Sequence, residues 1–149
     1  MAYFDSDGVQ IYFEEHGKGE PVVLVHGFAS RAEHNWGAGW FDPLAQHYRV
    51  VALDCRGHGK SGKPHDSAAY AGETMGDDVI RLMDHLGIKR TLIMGYSMGG
   101  RIVTGLLMLH PERLRGGSPR RNRRSVGDCT VVRSQTDRRC FACEGYFGS

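Results

Sequence analysis

Several things are scarce or missing in this 149-residue sequence, and each absence narrows what the chain can be. No apolar run approaches the ~20 residues that a membrane-spanning helix needs, so no membrane partner is expected. The first residues, Met1-Ala2-Tyr3-Phe4-Asp5-Ser6-Asp7, lack the basic and apolar regions of a secretory signal, which makes a cytoplasmic location the expectation. Four cysteines include one C-x-x-C, Cys140-Phe141-Ala142-Cys143, with no second pair and no later histidine. A structural zinc site usually takes four ligands, and a thioredoxin-type motif needs a strand before it and a helix after it. No metal and no cofactor are therefore expected. Gly57 and Gly59 do not follow the Gly-x-Gly-x-x-Gly or Walker spacing, which argues against nucleotide binding. Arg120 to Arg124 is arginine-rich but has no interleaved aromatics, so no nucleic-acid partner is expected. Finally, no histidine follows His110.

What is present is a pattern of strands alternating with helices. Val9, Ile11 and Phe13 alternate with polar residues, a period-2 strand, and Asp7-Gly8 before them is a hairpin turn signal pointing to Tyr3–Asp5 as the partner. Pro21–Val25 and Val50–Leu53 are continuous apolar runs, as in parallel strands buried on both faces. A short helix is expected near Phe41–His47. Val79, Ile80, Met83 and Leu86 repeat at helical spacing from about Thr74 to Leu86, with Asp77 and Asp78 near the start and Gly87 at the end. Thr91–Met94 is another strand, and a helix over Met98–Leu109 stops before Pro111. An antiparallel start followed by this alternation predicts an α/β fold with a mainly parallel sheet and helices on both faces.

The chemistry concentrates at 95–99. Gly95-Tyr96-Ser97-Met98-Gly99 lies between a strand and a helix, the context that a G-x-S-x-G nucleophile elbow requires. Such a turn lifts the serine hydroxyl clear of the sheet, and Gly95 and Gly99 leave room for the close backbone approach. Ser97 is the candidate nucleophile. His26-Gly27-Phe28 follows the Pro21–Val25 strand. Taken alone, His26 packs at a strand end. Combined with the elbow, His26 and Gly27 mark a loop whose Phe28 N–H would join the Met98 N–H as an oxyanion hole.

Three segments, Val25-His26-Gly27-Phe28, Asp54-Cys55-Arg56-Gly57-His58-Gly59-Lys60-Ser61 and Gly95-Tyr96-Ser97-Met98-Gly99-Gly100, occur in an order and approximate spacing that resemble the α/β-hydrolase superfamily. His110-Pro111-Glu112-Arg113-Leu114 is similar to that family's ending of the elbow helix. The resemblance covers residues 1–114 and implies a serine hydrolase acting on a small-molecule ester, lactone or similar acyl substrate. A serine at the elbow speaks against the haloalkane dehalogenase and epoxide hydrolase branches, which use aspartate there. His-Gly-Phe looks more like the esterase, lactonase and cofactor-free haloperoxidase branches.

The resemblance also implies a triad acid after a sixth strand and a histidine after an eighth, and neither is legible. Asp128, Asp137 and Glu144 follow no strand and are expected to be solvated charges. His85 and His110 lie on helices, and His58 is expected to be an exposed loop residue. Triad acid and base are unknown. Residues 115–149 hold 8 Arg against 3 Asp+Glu, and their only strand-like run is Thr130–Val132. This Arg/Cys-rich tail is expected to be disordered or the product of a shifted reading frame. A one-base shift over Gly116–Arg124 permits codons for an apolar run ending in glycines. With later strands and cap missing, Thr91–Tyr96 is expected to form an unpaired sheet edge open to self-association. The alternatives to an impaired hydrolase are an inactive truncated product and a non-catalytic ligand-binding module.

Overall fold

Asp7 and Gly8 both take positive φ, 55° and 79°, the backbone that a two-residue type I′ hairpin needs. They fold β1 (Ala2–Ser6) antiparallel onto β2 (Val9–His16), with Ser6 opposite Val9. These coordinates are a computed structural model, which describes residues 2–70, 73–115 and 129–132.

β3 (Glu20–Val25), β4 (Tyr48–Leu53) and β5 (Leu92–Tyr96) form the parallel centre of the sheet. Together with β6 (Cys129–Val132) they give the order β1-β2-β4-β3-β5-β6. Alternate residues of the central strands face opposite ways. Val23, Val25, Val51, Leu53 and Ile93 pack on one face. They meet α2 (Thr74–His85) and α3 (Met98–Leu109) through Val79, Leu82, Met83, Val103 and Leu106. Val22, Leu24, Val50, Ala52 and Met94 pack on the other, under α1 (Ala32–Ala45) with its Trp36 and Phe41. The unbroken apolar runs are thus the sequence mark of a sheet covered on both sides.

The expected α/β architecture with a parallel centre and helices on both faces is what forms. Two expectations need correction. Helix α1 begins at Ala32, well before Phe41, and is two helical pieces joined at a non-helical Gly37. The glycines at 37 and 39 read as a loop, yet Ala32 and Trp36, one turn apart, already carry the buried stripe. The second correction concerns β5, which is not an unpaired edge. β6 runs antiparallel along it from Ile93↔Val132 to Tyr96↔Cys129, so its outer N–H and C=O groups find partners in a short β-branched run. The other expectations about residues 116–128 and 133–149, including Arg120–Arg124 and Cys140–Cys143, lie outside the described residues.

Two local devices fix α2. Gly87, at φ 67°, ends it. Ile88 N–H reaches Met83 C=O at 2.7 Å and Gly87 N–H reaches Asp84 C=O at 3.1 Å, the Schellman pairing. Near its start, buried Asp78 takes two bonds from Arg56, Nε to Oδ2 at 2.9 Å and Nη2 to Oδ1 at 2.7 Å, plus one from Ser6 Oγ at 2.5 Å. The paired carboxylate holds the Arg56 guanidinium charged, pushing its pKa above the ordinary value. Among the described residues no helix is long and apolar enough to cross a membrane.

Candidate active site

Ser97 stands at the C-terminal end of β5, where the chain turns straight into α3. Its backbone has φ 49° and ψ −109°. A non-glycine residue held in such a sparsely populated region costs about 1–3 kcal/mol, so the surroundings must hold it there. The glycines on either side show how. A Cβ on Gly95 would collide with the Gly99 carbonyl, and one on Gly99 with the Val25 carbonyl oxygen. Strand and helix therefore approach backbone to backbone, leaving the chain no room to relax between them. The serine is exposed at the surface. Met98 is the first helical residue, and its N–H has no partner within the helix.

The loop after β3 comes to the same place. His26 is fully buried and uses both ring nitrogens. Cys55 N–H donates to Nε2 at 2.9 Å, which makes Nε2 the acceptor and leaves the ring proton on Nδ1. Nδ1 lies 2.7 Å from the Gly27 carbonyl and donates to it. That carbonyl belongs to the peptide whose other end is the Phe28 N–H. Because C=O and N–H of a trans peptide point in opposite directions, pinning one aims the other. Burial pushes His26 below the ordinary imidazole pKa, outweighing the opposing effect of the Gly27 carbonyl. It is a neutral structural brace and not a free base.

Gly27 is glycine for a reason of space. A Cβ there would lie 2.9 Å from Cδ1 of Tyr96, the residue before Ser97. Its N–H donates to Oδ1 of Asn35 at 3.0 Å. Phe28 then points its side chain outward, 76% exposed, and Ala29 takes φ 54°. Phe28, Ser97 and Met98 line one cavity of about 800 Å³, which runs past Tyr70 and Glu73 and along α3 to His110. Among the described residues no group of three or more His, Cys, Asp or Glu is placed to hold a metal ion.

The 54–61 loop runs beside the loop after β3, and its organiser is buried Asp54. Oδ1 accepts the Ala32 N–H at 2.7 Å, capping α1, and Oδ2 accepts the Lys60 N–H at 2.8 Å. Ser61 Oγ donates to the Asp54 carbonyl at 2.5 Å and accepts the Tyr12 N–H at 2.9 Å. His58, half-buried instead of exposed as expected, lies edge-on to His26 at 5.3 Å and to Phe28 at 5.7 Å. Cys55 is not a reactive thiol, because burial pushes it up to about 12.

Among the described residues, none of the eight histidines hydrogen-bonds Ser97. His110 lines the same cavity but caps the far end of α3, about 18 Å along a 12-residue helix. His85 stacks on Phe4 and His16 on Phe41. The sequence-predicted Ser97, Met98, Phe28, His26, Gly27, Gly95 and Gly99 all gather at the ends of β3 and β5. Sequence reasoning missed the bracing by Asn35 and Asp54. An aspartate directly after a buried strand and before a glycine-rich loop is the one signal that points to a cap.

Residues 20–117 match the family described as alpha/beta hydrolase fold. The chain belongs to that family. Among curated relatives, it is 39% identical over 116 residues to the dihydrolipoyllysine-residue acetyltransferase component of the acetoin cleaving system of Cupriavidus necator, covering 75% of this chain and 29% of that one. It is 31% identical over 115 residues to bifunctional epoxide hydrolase 2 of Rattus norvegicus, covering 72% of this chain and 19% of the relative. The solved structure of an N-acyl homoserine lactone degrading enzyme is 34% identical with a TM-score of 0.68, over 77% of this chain and 43% of that one. Relatives of this alpha/beta hydrolase chain thus span several chemistries, and the chain covers less than half the length of each.

Proposed function

We propose that this alpha/beta hydrolase chain carries the nucleophile and oxyanion hole of a serine hydrolase for an ester, lactone or similar small acyl substrate. The observation that supports it most is the strained Ser97 backbone at the start of α3, opening on the same cavity as Phe28. Ser97 Oγ attacks the carbonyl carbon, its proton passes to solvent water, and the oxygen of the tetrahedral intermediate accepts from the Phe28 and Met98 N–H groups. The alkoxide leaving group departs with a proton. Water then cleaves the acyl-enzyme ester and regenerates the hydroxyl.

This chemistry fits a serine better than epoxide opening does. Attack by serine on an epoxide carbon leaves an ether, which water does not cleave under mild conditions, whereas an acyl ester turns over. Likeness to an epoxide hydrolase therefore extends to the scaffold and not to the reaction. No described histidine serves Ser97, so turnover is impaired. Removing a triad member leaves only about 10³ to 10⁴-fold acceleration over water.

A fluorophosphonate probe tests the reading. Ser97 Oγ displaces fluoride from phosphorus, forming the P–O bond while its proton leaves with the fluoride. Labelling that disappears in Ser97→Ala is the expected result. A folded chain that does not label supports a ligand-binding module instead.

A further inference from the structure

We infer that Asn35 is a positioning residue for the oxyanion hole: by holding the Gly27 N–H it fixes the His26–Gly27 peptide, next to the one whose Phe28 N–H faces the reacting atom. The inference rests on the serine hydrolase reading above. Gly27 is gripped from three directions by separate parts of the chain. His26 Nδ1 holds its carbonyl at 2.7 Å, the Tyr96 ring closes its Cα face, and Asn35 Oδ1 holds its N–H at 3.0 Å. The first two belong to the strand end and the elbow. Only Asn35 comes from α1, and it closes the 27–34 segment into a ring.

That ring matters because, among the described residues, Phe28 and Ala29 make no hydrogen bond of their own. Phe28 and Ala29 are exposed, and Ala29 sits at φ 54° with no glycine to ease it. A loop anchored only at its strand end would relax this strain by rotating the peptides on either side of Phe28. Asn35 is itself well placed to resist. Its own N–H bonds Arg31 C=O at 3.0 Å within α1, and α1 hangs from Asp54 through the Ala32 N–H. The side chain therefore transmits the position of a capped helix to the Gly27 amide. An asparagine oxygen suits the task. It accepts a bond from a buried N–H while placing no negative charge beside a site where an oxyanion must form.

Asn35→Ala in the full chain tests this through two readouts. Amide hydrogen exchange at Gly27 should quicken at least about tenfold, while amides of β3 and β5 keep their protection, since only a local opening is released. Saturation kinetics with the fluorophosphonate probe should show the labelling rate constant falling about tenfold with the probe's half-saturation within about twofold, because a misaimed donor loses part of the effect of a missing one. Asn35→Asp keeps the acceptor and should restore Gly27 protection, guarding against an alanine variant that fails to fold. Unchanged Gly27 exchange in Asn35→Ala overturns the inference whatever the labelling does. Faster exchange with wild-type labelling overturns it too, reducing Asn35 to a loop tie. If the wild type does not label at Ser97, the serine hydrolase reading fails instead, and with it the catalytic purpose assigned to Asn35.

Discussion

Asp7 and Ser97 share an unusual property, a left-handed φ in a residue that is not glycine, but the fold holds them there by different means. Asp7 lies in an exposed turn beside Gly8, where the hairpin itself asks for positive φ and aspartate tolerates it. The Gly8 N–H even finds a local acceptor in Asp5 Oδ1 at 3.0 Å. Ser97 has no local reason for its backbone. It is trapped between a strand and a helix that meet through Gly95, Gly99 and the Val25 carbonyl. The first conformation is a local preference, whereas the second is imposed by tertiary packing. Strain imposed in this way lies at the sheet end where the proposed nucleophile stands.

The largest effect that would break this contrast is expected at Gly99. Gly99→Ala drives a methyl into rigid backbone and should destabilise by about 3 kcal/mol or more, read as a collapsed urea midpoint or lost soluble yield. A variant with the wild-type midpoint would show that the elbow is not tightly held. Next, Ser97→Gly should raise stability by about 1 kcal/mol, the relieved strain less glycine's extra freedom in the unfolded chain. Ser97→Ala keeps the strain and should leave the midpoint near wild type. Both variants lose probe labelling, so the difference between their midpoints isolates the strain.

A smaller effect follows from His26. Its folded-state pKa lies below the ordinary value of 6.5 because burial disfavours the imidazolium. The unfolded chain therefore binds a proton that the folded chain refuses. Stability from this group is complete above about 6.5 and is lost as pH falls from there toward the folded-state value. Urea midpoints should decline on acidification through that window, and His26→Asn should flatten the slope. A wild-type midpoint that stays level would contradict a buried neutral ring. Smallest of all, Asp7→Asn should move the midpoint by less than about 0.5 kcal/mol, since asparagine accepts the same turn and only an exposed contact with Arg81 is lost.

The same distinction explains what the sequence could reveal. The Asp7-Gly8 turn, the three apolar strands and the α2 stripe are local patterns, and each forms where its residues point. The elbow was legible because its glycines mark a close approach even though the approaching partner, Val25, lies more than seventy positions earlier. Asn35 carried no such mark. An asparagine between histidine and tryptophan has no periodic signature, and its meaning depends on a loop that folds back eight residues to meet it. β6 was missed as a partner for β5 because pairing across more than thirty intervening residues leaves no local trace beyond a β-branched triplet. The first half of α1 was obscured by Gly37 and Gly39: Gly37 does break the helix, but only into two pieces, and packing of Ala32 and Trp36 holds the earlier piece in place.

Asp54 has a mechanical consequence. One carboxylate fastens the start of α1 with one oxygen and the Lys60 amide with the other. The loop that reaches Phe28 and the loop that reaches His58 are thereby riveted together, with the Cys55 N–H to His26 bond as a second rivet. They cannot open against each other without tearing out those rivets. The β3 and β4 loops thus behave as one fixed jaw beside the cavity that Phe28 lines.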